Sequence, residues 1–214
     1  MKTFADRTEA GRFLAEALKP LVQPGHGSLL VLAIPRGGVV VGAEVARALR
    51  APLDVWLSRK IGAPGNRELA VGSVSSHGEC FLDTRLVEAL GVSQAYLEAA
   101  TRREQAELER RMILFRGSAA PVQVQGRRVV LVDDGVATGS TALAALAALR
   151  RGGAAQRILA VPVAPLESIP TLERAADEVV VLNRAPNFYA VGQFYEQFEP
   201  VEDEEVVRIL GEFA

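Results

Sequence analysis

Two kinds of hydrophobic pattern alternate along this chain. Residues 28–34 (SLLVLAI), 129–132 (VVLV), 157–163 and 178–182 are short, nearly unbroken apolar runs of the sort that form strands buried on both faces. Between them, apolar residues recur every three to four positions. Phe13, Leu14, Ala17, Leu18 and Leu21 predict an amphipathic helix within residues 6–22, with Asp6 or Thr8 available as its amino-terminal cap. An Ala-rich apolar helix is expected from the glycines after residue 35 to about residue 49. Leu143, Leu146 and Leu149 predict another after residue 141, and a short one is expected over 168–176. Strand and helix in alternation imply an α/β fold: an open, mostly parallel central sheet with right-handed crossovers and flanking helices.

The middle of the chain departs from this rhythm. Residues 53–58 (LDVWLS) read as a further strand ending in Arg59 and Lys60, whereas 61–69, punctuated by Gly, Pro and Asn, suits neither helix nor strand. The alternating segment 70–82, with Ser-His-Gly at its centre, predicts a β-hairpin. Residues 93–116 predict one long helix whose apolar stripe, Leu97, Ala100, Leu108, Met112 and Phe115, is broken. Near the end, Phe188, Tyr189, Phe194, Tyr195 and Phe198 crowd into one segment, with turns imposed by Pro186 and Gly192. They would form either a wall for a flat ring or a cluster that holds the tail.

Composition narrows the class. With 214 residues, 49% hydrophobic and 23% charged, the chain is expected to be one soluble globular domain, and no apolar run approaches the roughly 18 residues of a membrane helix. The start, MKTFADRTEA, shows no secretory pattern, so a cytoplasmic location is expected. A net charge of −2 argues against bulk attraction to nucleic acid or anionic membrane. In the 93–116 helix, Arg102, Arg103, Arg110 and Arg111 are interleaved with Glu104, Glu107 and Glu109, which favours a surface or subunit-contact helix over a nucleic-acid one. Cys80 is the single cysteine, which excludes an internal disulfide. Its pairing with His77 as a nucleophile is disfavoured, because residues three apart on an extended segment face opposite ways.

The candidate chemistry lies at 129–141, VVLVDDGVATGST. The buried strand ends in Asp133 and Asp134, and a loop of small residues leads into a helix. In an open α/β sheet, ligands bind beyond the carboxyl ends of the strands, where a helix amino terminus presents unpaired N–H groups. Gly135 and Gly139 permit close backbone approach, Thr138, Ser140 and Thr141 add hydroxyls, and Val136 and Ala137 complete a cup for a phosphate monoester. Two acids beside that cup suit a phosphorylated sugar whose cis-diol they accept, and they can attract Mg²⁺. The plainer alternative is a βα turn whose acids only cap the helix. The loop after 28–34 has similar form: Arg36 supplies a guanidinium for a polyanion, and Gly37 and Gly38 supply close approach. Its spacing is not that of a dinucleotide fingerprint, and the chain has no Gly-Lys-Ser/Thr phosphate loop.

The run VVLVDDGVATGST resembles the 5-phosphoribosyl-1-diphosphate (PRPP) binding motif of the type I phosphoribosyltransferases, in which an apolar run, an acid pair and a loop ending Thr-Gly-x-Thr occur in this order. The resemblance implies a single phosphoribosyltransferase-like domain over 1–214, with a flap at about 61–82, a helical insertion at about 84–117 and a hood and tail at about 183–214. It implies transfer of the phosphoribosyl group to a nitrogenous acceptor, a nucleobase above all, with release of pyrophosphate and with Mg²⁺ on Asp133 and Asp134. A non-catalytic PRPP sensor is the alternative, and a subunit active only with a second chain is a third reading. By the same resemblance Arg36, Gly37 and Gly38 hold pyrophosphate, often beside a non-proline cis peptide in strained backbone, and Arg59 and Lys60 face it. Arg67, Glu68 and His77 are flap candidates. The run Pro-Asn-Phe-Tyr-Ala-Val-Gly at 186–192 is similar to a hypoxanthine-guanine phosphoribosyltransferase segment whose aromatic stacks on the purine; that role falls on Tyr189, and a following acid on Glu196. One departure is Ala137, where those enzymes carry an acid near the base. A homodimer is common in the family.

Overall fold

The structure is a computed structural model that describes residues 2–22, 28–76, 80–117, 120 and 122–213; His77, one of the flap candidates, lies outside these, as do the side chains of Arg67 and Glu68. The chain divides into two compact units, one formed by Met1–Val55 with Gln123–Ala214 and the other by Trp56–Val122.

The first unit is built on a five-stranded sheet. Its elements are α1 (Arg7–Leu18), β1 (Leu29–Ala33), α2 (Gly37–Leu49), β2 (Leu53–Val55), β6 (Arg128–Val132), α5 (Ser140–Arg151), β7 (Gln156–Pro165), α6 (Ile169–Ala175), β8 (Glu178–Ala185) and α7 (Asp203–Gly211). All the strands are parallel, in the order β2-β1-β6-β7-β8. The expected open parallel sheet flanked by helices is therefore present. The right-handed rule for crossovers between parallel strands puts α2 on one face and α5 and α6 on the other, and α1 packs beside α2 over β7 and β8. Both faces being covered, Leu30–Ala33 in β1, Val129–Val132 in β6 and most of β7 are buried, which accounts for their unbroken apolar character.

The order of strands decides where a ligand can sit. Chain direction across the sheet reverses between β1 and β6, and the two strands end level, with Ala33 paired to Val132. The Ile34 N–H donates to the Val132 carbonyl at 2.8 Å, so residues 35–38 and 133–134 emerge side by side. This is the topological switch point, where open α/β sheets leave a crevice.

Helix α1 begins as its sequence suggests, with Asp6 as cap: its carboxylate accepts from the Glu9 N–H at 2.7 Å. Ahead of it, the start of the chain pairs with the tail. Phe4 forms a parallel bridge with Tyr195, and Glu196 and Gln197 donate backbone N–H groups to Phe4 and Ala5 at 2.8 and 3.0 Å. Asn183, buried on β8, holds Lys2 by two side-chain hydrogen bonds. Most of the crowded aromatics form a tail cluster: Phe4, Phe194 and Tyr195 are buried together, with Phe188 and Phe198 packed against them, and Tyr189 is outside it.

The second unit carries β3 (Ser58–Ala63), β4 (Asn66–Ser75), β5 (Cys80–Leu82), α3 (Thr84–Ala89) and α4 (Gln94–Arg116). The strands form an antiparallel sheet in sequence order, and α4 packs on β3 and β4. Two expectations are corrected here. Residues 53–58 are not one strand: β2 stops at Val55, and Arg59 and Lys60 lie inside β3 instead of ending a strand of the parallel sheet. Residues 61–69 are not irregular, because β3 and β4 turn at Pro64 and Gly65 and pair on both sides of it. The single cysteine, Cys80, is exposed. Among the described residues no helix is long and apolar enough to cross a membrane.

Candidate active site

The β6–α5 loop leads directly into a helix amino terminus. Gly139 adopts φ +81°, a conformation open to glycine, immediately before α5. The Thr138 and Ser140 hydroxyls lie 3.0 Å apart. Asp133, the loop from Gly135 to Thr141, Ala142 and Val191 line a cavity of about 190 Å³. Small-molecule sites usually begin near 300 Å³. This hollow is smaller than that, and it lies against the amino terminus of α5. A second hollow, of about 390 Å³, shares Ala137, Thr138 and Gly139 and extends past Leu143 to Glu167, Thr171 and Leu172.

The loop after β1 is packed directly on the acid pair. A β-carbon on Gly37 would overlap the Asp134 carboxylate, and one on Gly38 would stand 2.9 Å from the Asp133 Cα and 3.0 Å from the Val132 carbonyl oxygen. Both positions therefore need glycine for space alone. The Pro35–Arg36 peptide is cis, as the resemblance implies. The Arg36 guanidinium leans towards Glu202 and Asp203 at the start of α7, at 3.6 and 3.5 Å, distances too long for a firm pair.

The two acids do not stand alike. Asp134 Oδ2 accepts from Arg7 Nε at 2.8 Å in a pair whose side chains are 11% and 16% exposed. Arg7 also donates from Nη1 to the Glu199 carbonyl at 2.8 Å and lies over the Phe198 ring, 3.8 Å from its centre. The Tyr195 hydroxyl donates to the Asp134 carbonyl at 2.6 Å. Burial, reinforced by the charge of Asp134, raises the Tyr195 phenol far above its ordinary range and keeps it a donor. Asp133 instead lines the cavity and accepts the Asp134 N–H at 2.8 Å. Burial, and after it the negative charge of Asp134, pushes the Asp133 carboxyl well above the usual aspartate range, with Arg7 opposing.

Of the residues singled out from sequence, Arg36, Gly37, Gly38 and the run Asp133 to Thr141 come together at the switch point. Tyr189 does not join them in a packed wall; it is 90% exposed, in a turn held by Gln193. Glu196 is exposed, and its backbone N–H joins the pairing with Phe4. Arg59 and Lys60 belong to the second unit, where Arg59 pairs with Glu104. Arg7 and Tyr195 were missed as site residues. Arg7 carried one signal: a cation at the first position of a helix opposes the helix dipole, and such a residue needs a partner elsewhere.

With this geometry in place, comparison with known proteins is decisive for the family. The sequence model of the Phosphoribosyl transferase domain matches residues 9–199. This chain belongs to the phosphoribosyl transferase family. The Mycobacterium tuberculosis protein named "Putative phosphoribosyl transferase Rv0571c" is 42% identical over 210 residues, which cover 98% of this chain and 47% of that protein. The chain thus spans about half the length of the curated relatives it matches. The crystal structure of TT1426 from Thermus thermophilus is 45% identical, with a TM-score of 0.86 over 100% of both chains. AQ2163 from Aquifex aeolicus shares the fold alone, at 13% identity and a TM-score of 0.50 over 83% of this chain and 72% of that one.

Proposed function

We propose that this phosphoribosyl transferase family chain transfers the 5-phosphoribosyl group of PRPP to a nitrogenous acceptor, a nucleobase, and releases pyrophosphate. The observation that carries the reading is the cavity running from Asp133 to the amino end of α5 at the switch point, with the Pro35–Gly38 loop packed beside it.

In the reaction a C1–N bond forms as the C1–O bond to pyrophosphate breaks, the leaving group taking the electron pair. Positive charge grows on the ribose ring and negative charge on the leaving group. Preorganised dipoles and charges are then the main source of rate. The loop Gly135–Thr141 and the α5 amino terminus bind the 5-phosphate, remote from the reacting carbon, and orient the sugar. Asp133 accepts from the ribose hydroxyls and favours the cationic ring. Asp134, engaged by Arg7, stands behind it and fixes the backbone through Tyr195. Arg36 and the backbone of Gly37 and Gly38 receive pyrophosphate, Arg36 turning from Glu202 and Asp203 to do so.

Mg²⁺ fits this donor set. It is commonly held through one or two carboxylates together with substrate phosphates and water. Asp133 supplies such a ligand, and the described residues contain no group of three or more His, Cys, Asp or Glu that would cage a metal without substrate. When bound, the ion neutralises the charge of the leaving pyrophosphate.

The test is pyrophosphate release from PRPP and Mg²⁺ across a panel of purines, pyrimidines and small amides. Release with at least one acceptor is expected. No release with any member of the panel, combined with no heat when PRPP is titrated into the protein, overturns the reading.

A further inference from the structure

The turn between β7 and α6 carries polar residues that the transfer reading leaves unused. Strand β7 runs on past the end of its neighbour β6 to Pro165, and residues 166–168 make one tight turn before α6. The Ser168 hydroxyl closes that turn by donating to the Pro165 carbonyl at 2.8 Å. The loop after β6 is fastened to the same strand, since the Val136 N–H donates to the Val163 carbonyl at 2.9 Å. Loop and turn both line the larger hollow, of about 390 Å³. Unlike the smaller one, it falls within the usual range for a ligand site.

The walls of this cavity are of two kinds. Leu143, Pro165 and Leu172 give it an apolar floor, and the last two are buried. Glu167, Ser168 and Thr171 give it a polar rim whose hydrogen-bonding capacity can be counted. Ser168 has committed its proton to Pro165. The Thr171 hydroxyl accepts from Arg174 Nη2 at 3.0 Å, which leaves its own O–H to donate. Glu167 is exposed and has no hydrogen-bond or ion-pair partner among the described residues, so both of its oxygens can accept. Of the described residues lining the cavity, it alone is charged. A second phosphate is therefore disfavoured there, because like charges repel and no cation lines the cavity to offset them. What fits is a flat ring laid on the apolar floor, meeting the carboxylate with N–H donors and the hydroxyl with an acceptor.

We propose that this cavity binds a small planar heterocycle whose edge carries an amino group, a ring N–H and a carbonyl in succession, with Glu167 reading the two donors and Thr171 the carbonyl. The site does not rest on the transfer reading: such a ring is either the acceptor of transfer or a second ligand held against the loop.

The experiment is calorimetric titration of isocytosine, which has that edge, and of the pyrimidinone that lacks only its amino group, into the full chain and two variants. Glu167 and Thr171 are exposed, so Glu167→Gln and Thr171→Val should fold normally. The wild type is expected to bind isocytosine about tenfold or more tightly than the analogue, the scale of a hydrogen bond to a charged group. Glu167→Gln sets an amide N–H against one donor and should bring the two affinities to within about threefold. Thr171→Val should weaken both compounds alike, by about threefold or more. Absence of isocytosine binding to the wild type, no preference over the analogue, a preference that survives Glu167→Gln, or unchanged affinities in Thr171→Val overturns the proposal. Repeating the wild-type titration with PRPP and Mg²⁺ separates the two sources. Consumption of isocytosine with release of pyrophosphate supports the cavity as the acceptor site, whereas binding with the variant responses above and no consumption supports it as the site of a second ligand. Turnover of any acceptor without isocytosine binding refutes this site and leaves the transfer reading standing.

Discussion

Replacing Arg7 by Met tests whether the acid pair is held from behind. The substitution keeps most of the side-chain length and removes the charge beside Asp134. The pair is largely shielded, with side chains 11% and 16% exposed, so the surface value of about 0–1 kcal/mol does not apply. Removing one partner of a buried pair costs about 3–5 kcal/mol, because the other charge is left uncompensated. Here that charge also faces Asp133, whose proton affinity Asp134 already raises. The hydrogen bond to the Glu199 carbonyl and the contact with the Phe198 ring are lost as well, although such terms do not add simply. Taking the lower end, since the site retains some solvent, gives about 3 kcal/mol.

At about 2–4 °C per kcal/mol for a chain of this size, the midpoint of thermal unfolding should fall by about 6–12 °C. Urea denaturation followed by far-ultraviolet circular dichroism at about pH 7.5 measures the loss directly. The companion variant supplies the control: Arg7→Met combined with Asp134→Asn removes the stranded charge and should recover at least about 2 kcal/mol relative to Arg7→Met. A cost below about 1 kcal/mol for Arg7→Met, or a double variant as unstable as the sum of its singles, would refute the argument that Arg7 compensates Asp134.

Three further outcomes are expected. Gly37→Ala drives a methyl group into the Asp134 carboxylate and to within 2.7 Å of Arg7 Nε, so it should cost about 1–3 kcal/mol in urea and abolish the heat of PRPP binding. Gly211→Ala, with nothing within 4 Å, is the matched control and should be neutral or stabilising. Tyr189→Ala should leave unfolding within about 0.5 kcal/mol of wild type, because the side chain is 90% exposed; steady-state kinetics should show a higher KM for the acceptor at an unchanged KM for PRPP, and a marked loss of stability would refute its placement. Asp133→Asn should lower turnover by about 10²-fold or more. Because the folded chain binds the Asp133 proton more tightly than the unfolded chain does, the wild type loses stability as pH rises from the ordinary aspartate range through the raised value. Asn does not titrate, so its advantage in melting temperature should grow as pH rises above the ordinary aspartate range; a difference independent of pH contradicts the raised value.

What could be read from the sequence was what is local. The β1 and β6 runs, the glycines that follow them and the helices α2 and α5 fall within a few residues of expectation, because burial on both faces leaves an unbroken apolar record. The second unit was harder to read for a physical reason. Trp56 and Leu57, between β2 and β3 in the chain, are buried, so the apolar pattern runs on where the chain leaves one sheet for another. In β3 the register with β4 shifts between Ile61 and Gly62 and again between Gly62 and Ala63, which destroys the alternation that would have marked a strand. The break in the α4 stripe was visible, but its cause, a carboxylate serving two guanidinium groups, depends on Arg59, 45 residues away.

The acid pair shows the same limit at the centre of the site. From sequence alone the two aspartates look equivalent, both poised for a diol. They are not: Asp133 lines the cavity beyond β6, whereas the Asp134 carboxylate is largely shielded and engaged by a guanidinium. A shielded carboxylate needs a cation. Only Arg7, 127 residues earlier in the chain and brought there by the pairing of Phe4 with Tyr195, supplies it among the described residues. The tail and the first helix thus belong to the electrostatics of the acid pair although neither carries any part of the 129–141 run, and truncating the pairing at Phe4 should therefore mimic Arg7→Met.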